Sequence, residues 1–449
     1  MLDIPPAIIE TVTESAQCCL IDWIGSIPFF SSRRQGEKAT VETLDIPGVT
    51  VERVELNGVV MVTPVGHVLP QGQPGDIDNY TPSEAVGYSM RNALLYDDKE
   101  FFQKLLNGYL FLTNQSTIYR ESEQHLPENL LAFGLIGWSP DISNIPETLP
   151  YQGLTTNFVS AASDADEDII NAMIEAQKKW GEMTAIDPLL PTEPSTYATL
   201  SLVDFIDKSI ESYVNFDIGS VNLWNKNYDP VMTLDNWGHD PMFPGYFDPL
   251  AFHNMITFVY ENSLEEGQAS RLIDSAQNSL AYISNIQTEN GGWVPDTPWN
   301  LSGAYSFGYD AVRFLMRYGE YILYCDQEGG DPLNMLKEVE ASLSTLVSLI
   351  FSNNGSYLSW QNGTVTFTPT GLGYGQFTGP LLVALTALSR VDLLPEGVTE
   401  STIEDVAKCL EHDLTEYSVS SSNEWQKSYF AIELALISQG IIEHFSRLL

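Results

Sequence analysis

Apolar residues recur at helical spacing along most of this chain, which predicts a protein built mainly from α-helices. Between 165 and 180, one face of the predicted helix carries only apolar side chains: Ile169, Ala172, Met173, Ala176 and Trp180. Similar patterns predict further helices near 7–24, 85–95, 99–113, 126–137, 199–214, 246–262, 266–285, 307–325, 333–351, 376–390, 402–415 and 425–447.

The first 80 residues differ from the rest, because they mix helical and strand patterns. VTVERVELNGVVMV (49–62) alternates apolar and polar positions on both sides of Asn57-Gly58, which predicts a β-hairpin. We interpret residues 1–449 as one all-α domain in which 1–80 is a mixed N-terminal segment carrying this hairpin.

Long segments rich in Asn, Gly, Pro, Trp and Tyr separate the predicted helices, at 139–160, 183–196, 215–245, 286–306 and 352–375. Such loops are too long for a compact bundle, and functional residues concentrate on loops held by a rigid body. A dozen helices with these loops predict an α/α toroid, six helical hairpins in a ring, with a binding face at one end.

The charge of the chain limits its partners. It has 60 acidic and 20 basic residues, a formal net charge of −40, so we expect neither nucleic acid nor an anionic membrane to bind. The apolar run 381–388 is much shorter than the ~20 residues that span a bilayer. Cys18, Cys19, Cys325 and Cys409 fit neither a zinc site nor a disulfide framework, and no HExxH occurs, so we predict buried thiols and neither metal nor cofactor.

The sequence ASDADED (162–168) places four carboxylates within five residues at the start of a predicted helix. With Ser163 as N-cap, acids in the first turn would complement the helix dipole, but that accounts for one or two of them rather than four. A calcium loop is excluded, because its sixth position requires Gly and is Ile169 here. The crowding favours a functional site.

ASDADED, followed by Ile and small or aliphatic residues up to Trp180, resembles the signature of glycoside hydrolase family 8, with Ile170 where the family has Ala. Three further blocks resemble that family in order: SEAVGYSMRNAL (83–94), PGYFDPLAF (244–252, after LDNWG) and FGYDAVRFLMR (307–317). Departures are Ala85 and Ser89 where the family favours Gly, and Leu315-Met316 before Arg317 where it often has Pro-Trp.

The resemblance implies an (α/α)6 barrel and hydrolysis with inversion. It implies that Glu84 is the general acid and Asp310 the general base, while Asp164 positions the sugar and shapes the electrostatics around the acid. The acid has to be protonated at working pH, which requires a raised pKa. Arg313, three residues after Asp310, would pair with that base and keep it ionised.

Sugar rings have apolar faces that stack on aromatic side chains. The resemblance favours Trp237 and Tyr309 as such platforms, with Trp138 and Tyr429 as further candidates. Tyr246 and Arg313 complete the predicted substrate-binding set. Each of these aromatic residues could instead belong to ordinary packing.

We therefore expect an endo-acting hydrolase of β-1,4-linked glucan, cellulose-type or mixed-linkage. Alternatives are a chitosanase or xylanase of the same family, a non-catalytic glycan-binding protein on the same fold, or an unrelated α/α-barrel lyase or cyclase. We expect a monomer whose partner is a polysaccharide or oligosaccharide. Because long β-glucans lie outside the cytoplasm, we expect secretion or a periplasmic location, although MLDIPPAIIE has no basic segment before an apolar run and so no signal peptide.

Overall fold

A computed structural model of the chain describes residues 39–46, 49–56, 59–61, 83–99, 161–181, 183, 201–234, 240–262, 264, 266–355, 357–361, 364–369, 375–417 and 429–447, with isolated positions between 102 and 109 and at 135. Predictions for the helices near 7–24 and 126–137 lie outside these residues, apart from position 135. The division of the chain into domains stays a prediction.

The described residues form ten α-helices, which confirms the all-α prediction: α1 Ser83–Leu95, α2 Ser163–Trp180, α3 Leu202–Phe216, α4 Pro249–Glu261, α5 Glu266–Glu289, α6 Val312–Glu328, α7 Leu336–Gly355, α8 Thr378–Arg390, α9 Glu400–Tyr417 and α10 Tyr429–Arg447. The described positions between 102 and 109 are helical as well. Capping fixes several of these starts. Ser201 and Asp204 form a capping box before α3, and Asp248 accepts the backbone N–H groups of Leu250 and Ala251 at the start of α4.

Six helices form a closed inner ring in which each packs on the next: α1 on α2, α2 on α4, α4 on α6, α6 on α8, α8 on α10, and α10 on α1. The helices α3, α5, α7 and α9 pack outside this ring. Because an outer helix returns the chain after an inner one, the inner helices run in the same direction and begin at the same end. This arrangement is the predicted (α/α)6 barrel.

The burial of the helices follows from this ring. An inner helix contacts neighbours on most of its circumference, so an amphipathic stripe is not sufficient for it. All residues of α8 from Thr378 to Ser389 are buried, as are those of α6 from Val312 to Leu323. Cys325 and Cys409 are buried free thiols, as predicted, while Cys18 and Cys19 lie outside the described residues.

Strands β2 (Val49–Leu56) and β3 (Val59–Met61) pair antiparallel with Leu56 opposite Val59, which confirms the predicted hairpin. The sequence did not predict β1 (Ala39–Ile46), which pairs with the other edge of β2. Within the described part of the chain, no helix is both long and apolar enough to cross a membrane.

Two of the predicted loops contain hairpins, which corrects the prediction for them. In 215–245, β4 (Ile218–Leu223) pairs with β5 (Lys226–Met232), and in 352–375, β6 (Leu358–Gln361) pairs with β7 (Thr364–Phe367). The β4–β5 turn was difficult to recognise, because Trp224 and Asn225 adopt the positive φ values of 50° and 63° that usually indicate glycine. The β6–β7 turn does carry the Asn-Gly signal, at Asn362-Gly363.

Candidate active site

The three predicted acids all lie at helix starts on the same end of the inner ring. Glu84 is the second residue of α1, Asp164 is the second residue of α2, and Asp310 lies two residues before α6. Helix α6 was predicted to begin at 307 and begins at Val312, so Asp310 belongs to the turn that precedes it. The common direction of the inner helices therefore brings together carboxylates that are far apart in sequence.

Arg313 links two of these carboxylates. Its Nη1 donates to Oδ2 of Asp164, and its Nη2 lies 3.4 Å from Oδ1 of Asp310. The guanidinium also lies against two buried tyrosine rings, 5.7 Å from the centroid of Tyr88 and 5.3 Å from that of Tyr246. Arg313 is thus a buried cation held by acids and aromatic faces rather than a surface ion-pair partner.

Glu84 is the most perturbed of the three acids. Burial and, second to it, the negative charge of Asp164 raise its pKa to about 8, with Arg313 opposing both effects. Among the described residues, Oε2 of Glu84 has no hydrogen-bond partner. Glu84 is therefore mostly protonated at neutral pH, and its Oε2 can hold the proton without a hydrogen-bond partner in the described part of the chain.

The other two acids differ from Glu84 in their surroundings. Burial raises the pKa of Asp164 to about 6, with Arg313 and then Arg317 opposing the shift, so Asp164 is mainly ionised at neutral pH. Burial also raises the pKa of Asp310, with Arg313 opposing, but 28% of its side chain remains accessible to water. Separated pKa values are the arrangement that lets one site hold both an acid and a base.

Asp296 holds the backbone of Asp310 in place. Its Oδ1 accepts the N–H groups of Asp310, at 3.0 Å, and Ala311, at 2.8 Å. Its Oδ2 leaves no room for a side chain at Gly308, where a Cβ would lie 2.2 Å away. A carboxylate from the preceding loop therefore caps the start of α6, and its charge also raises the pKa of Asp310. No motif in the sequence predicted this role of Asp296. The residue lies between two nearby prolines, a pattern typical of a turn.

The backbone of Asp310 also lies very close to Gly245. A Cβ at Gly245 would lie 1.9 Å from the backbone oxygen of Asp310, so only glycine fits there. The Gly245 carbonyl in turn accepts a 3.2 Å hydrogen bond from Nη1 of Arg317. Asp310 is thus fixed from both sides by residues of two different loops.

The acidic run 164–168 faces three buried arginines. Besides the Asp164 contact with Arg313, Asp168 accepts from Arg317 at 2.6 Å, and Glu167 lies 3.7 Å from Arg317. Asp168 also lies 3.9 Å from Arg91, whose Nη2 contacts Glu320. Asp166 is fully buried as well. The acids therefore neutralise arginines of α1 and α6 inside the ring, in addition to any effect on the helix dipole.

The predicted N-cap role of Ser163 is wrong. The N-cap of α2 is Ala162, and no side chain caps it. Ser163 is the first helical residue, and its hydroxyl donates to the carbonyl oxygens of Thr233 and Leu234. The Ser163 hydroxyl therefore bonds to the segment after β5 instead of capping α2, because buried carbonyl groups need hydrogen-bond donors.

The structure describes only some of the predicted sugar platforms. Tyr309 is half-buried beside Asp310, and Tyr246 is buried with its ring against Arg313 and Phe243. Tyr246 therefore supports Arg313 and leaves little ring surface for a sugar. Tyr429 begins α10, with its side chain outside the described part, and Trp138 and Trp237 lie outside the described residues. Substrate binding by all of these residues stays a prediction.

Among the described residues, no group of three or more His, Cys, Asp or Glu side chains is arranged to hold a metal ion. The described carboxylates of the site have arginines as their charged partners. The site therefore places three buried or half-buried carboxylates around a fixed guanidinium.

No protein-family model matches the chain. It is 29% identical over 252 residues to Endoglucanase 2 of Ruminiclostridium josui, and 28% identical over 252 residues to Endoglucanase C of Ruminiclostridium cellulolyticum. Each alignment covers 53% of this chain and 42% of the relative. The chain therefore spans less than half of the length of these two proteins.

Two solved structures share the fold over nearly the whole chain. A β-1,3-1,4-glucanase from Paenibacillus sp. X4 matches with a TM-score of 0.54 and 15% identity, over 98% of this chain and 93% of its own. A reducing-end-xylose releasing exo-oligoxylanase matches with a TM-score of 0.54 and 14% identity, over 97% and 93%. At such identities the likeness concerns the fold alone. The matched endoglucanases and this shared barrel agree with the resemblance of the motif blocks to glycoside hydrolase family 8.

Proposed function

We propose that this protein hydrolyses internal β-1,4 bonds of a glucan with inversion at the anomeric carbon. The observation that carries the proposal is the difference in surroundings among the three acids that lie around Arg313. Glu84 is mostly protonated at neutral pH and its Oε2 has no hydrogen-bond partner among the described residues, whereas Asp310 is partly accessible to water and paired with a cation. Breaking a glycosidic bond with inversion requires such an acid and base on opposite faces of one sugar.

In this mechanism Glu84 protonates the departing glycosidic oxygen. Asp310 accepts a proton from a water molecule, whose oxygen attacks the anomeric carbon from the opposite face. Asp164, fixed by Arg313, lies beside the acid, and its negative charge both raises the pKa of Glu84 and stabilises the positive charge that develops on the sugar. Glu84 thus has the protonation state that its step needs, and the charge of Arg313 favours the ionised form of Asp310.

A β-1,4-glucan is the first substrate to test, because the two relatives named above are endoglucanases. Mixed-linkage glucan is the second, since a solved β-1,3-1,4-glucanase shares the fold. Xylan is the third substrate to test, because a solved exo-oligoxylanase shares the fold. Chitosan is the fourth, because the net charge of −40 would attract a polycation. We further propose that the protein acts outside the cytoplasm as a monomer.

The test incubates the protein with carboxymethyl-cellulose, barley β-glucan, xylan and chitosan, and measures both reducing ends and viscosity. We expect release from a glucan with an early fall in viscosity, as an endo-acting enzyme produces. Glu84→Gln should lower the rate about 10²–10⁴-fold. The matched control is Glu211→Gln, which alters an exposed residue of α3 paired with Lys208, and should keep the wild-type rate.

The anomer formed first, observed by NMR during hydrolysis, tests inversion. Activity that survives Glu84→Gln would contradict the assignment of the acid. Binding of a glucan without hydrolysis would favour the alternative of a glycan-binding protein.

A further inference from the structure

Three exposed apolar side chains lie within seven residues of the chain, just before Asp310. Trp299 is 62% exposed, Leu301 37% and Tyr305 75%. They belong to residues 297–305, named here the aromatic turn, which follows Asp296 in the same loop. Large apolar side chains exposed together on a protein surface indicate a binding site more often than exposed single ones do.

Hydrogen bonds hold the aromatic turn in one conformation. The N–H of Asn300 donates to Thr297 at 3.1 Å, and that of Gly303 donates to Oδ1 of the buried Asn290 at 2.8 Å. The amide of Asn290 also donates to Ser306 at 2.8 Å, just after the turn. Gly303 has a φ of 61°, which glycine adopts without strain. The exposed rings therefore stand on an ordered support, and little conformational entropy would be lost when a ligand binds them.

A chain of rings connects the aromatic turn to the acids. Trp299 packs edge-on against the half-buried Phe243 at 5.9 Å between centroids, and Phe243 packs against Tyr246 at 5.1 Å. Tyr246 in turn contacts Arg313. Trp299 thus lies at the surface, three successive contacts outward from Arg313, in the loop whose Asp296 holds the backbone of Asp310.

We propose that the aromatic turn is an outer sugar-binding subsite, where Trp299 and Tyr305 stack against the apolar faces of β-linked hexose units beyond the cleaved bond. This inference rests on the proposed function. A long polymer bound at the acids would continue past the turn, whereas a short oligosaccharide would end before it. The subsite therefore favours polymers over short substrates.

The test compares KM and kcat for barley β-glucan and for the shortest oligosaccharide that the wild-type protein cleaves. For Trp299→Ala we expect an approximately tenfold higher KM on the polymer, about 1.4 kcal/mol of binding. Its effect on the short oligosaccharide should stay within about twofold. Trp299→Phe should recover most of the polymer affinity, since it restores a ring, and Tyr305→Ala should show a smaller loss than Trp299→Ala.

Two exposed aromatic residues away from the site serve as matched controls. Trp224, 41% exposed, lies at the tip of the β4–β5 hairpin, at the opposite end from Thr233, which contacts Ser163 beside Asp164. Tyr260, 56% exposed, lies near the end of α4 that is remote from the helix starts. Trp224→Ala and Tyr260→Ala should leave both substrates unaffected, and thermal unfolding of every variant checks the fold.

The results of this test distinguish a failure of the subsite proposal from a failure of the proposed function. Wild-type turnover of the polymer with an unchanged KM in Trp299→Ala would overturn the subsite alone. Equal losses on polymer and short oligosaccharide would also overturn it, because they would place Trp299 at the reacting sugar. A wild-type dimer that Trp299→Ala dissociates would assign the turn to self-association instead. Failure of the wild-type protein to cleave any glycan would contradict the proposed function itself.

Discussion

Arg313 and Asp164 lie 149 residues apart in the sequence, yet Nη1 of the arginine donates to Oδ2 of the aspartate inside the barrel. The same guanidinium pairs with Asp310, and its charge lowers the pKa of Glu84, Asp164 and Asp310 against the effect of burial. One cation therefore adjusts the protonation of all three acids. This relationship leads to the first prediction.

Replacing Arg313 by Gln should raise the pKa of both Glu84 and Asp310. The pKa of the base sets the acidic limb of the pH–rate profile and the pKa of the acid sets the alkaline limb, so both limbs should move to higher pH. The maximal rate should fall about 10²-fold or more, since the geometry of the site is lost with the charge. Arg313→Lys keeps a charge without the planar fork, so its limbs should shift less. The measurement is kcat/KM against pH.

The control for that variant is Arg390→Gln, which removes the last residue of α8, an arginine that pairs with Asp326 at 3.5 Å at the end of the ring remote from the helix starts. Its profile should match the wild type. If Arg313→Gln lowers the rate but leaves both limbs in place, Arg313 does not set the pKa values of the acids.

The pKa of about 8 at Glu84 also predicts a dependence of stability on pH. A carboxyl group whose folded pKa is raised binds its proton more tightly in the native state, so its contribution to stability is fully present below its unfolded pKa near 4.5 and is lost as pH rises through about 8. Glu84→Gln cannot ionise and should therefore gain stability over the wild type above pH 8, on the order of 3 kcal/mol.

Urea unfolding at pH 4.5, 7 and 9 measures this difference. We expect it to be small at the lowest pH and largest at the highest. Glu211→Gln is the comparison for an exposed glutamate and should show little change with pH. A constant difference between Glu84→Gln and the wild type at all three values would contradict the raised pKa.

Asp296 provides the third prediction, because it acts on Asp310 through both geometry and charge. Asp296→Asn keeps an oxygen acceptor for the two N–H groups but removes the charge, so the pKa of Asp310 should fall and the acidic limb should move to lower pH. Asp296→Ala also removes the acceptor and should cost about 1–3 kcal/mol of stability, with a larger loss of kcat. The readouts are the pH–rate profile and the free energy of unfolding.

Asp331 offers a matched control for this capping role. Its Oδ1 accepts the N–H of Met335 and its Oδ2 that of Leu336 at the start of α7, far from the acids, whereas Asp296 accepts two N–H groups on Oδ1 alone. Asp331→Asn should alter stability without moving either limb. A profile for Asp296→Asn that coincides with that of Asp331→Asn would reduce Asp296 to a structural cap.

The contact between Gly245 and Asp310 gives the fourth prediction. A Cβ at Gly245 would displace the Asp310 backbone, so Gly245→Ala should lower kcat at least about tenfold and destabilise the fold by about 1–3 kcal/mol. Gly267→Ala adds the same methyl group in α5 with no atom within 4 Å, and should be neutral or slightly stabilising. Wild-type kcat in Gly245→Ala would show that the turn before α6 can move without loss of function.

The sequence by itself determined the helices, because apolar spacing at a period of 3.6 residues is a local property that tertiary contacts rarely override in long segments. It also determined the hairpin around Asn57-Gly58, and three of the motif blocks predicted Glu84, Asp164 and Asp310 as the acids of the site. It could not determine why four acids crowd the start of α2. Repulsion among them is visible in the sequence, whereas their partners Arg91, Arg313 and Arg317 belong to other helices.

Only the tertiary structure decided how the acids differ from one another. Their pKa values depend on burial and on charges within a few ångströms, and both arise when the ring closes and places the starts of α1, α2 and α6 together. The tertiary structure also places Asp296 where it holds the Asp310 backbone, and it places Ser163 against Thr233 and Leu234 instead of at the N-cap of α2. A motif can specify which residue types are present, but the protonation of a buried group is set by neighbours that the fold brings to it.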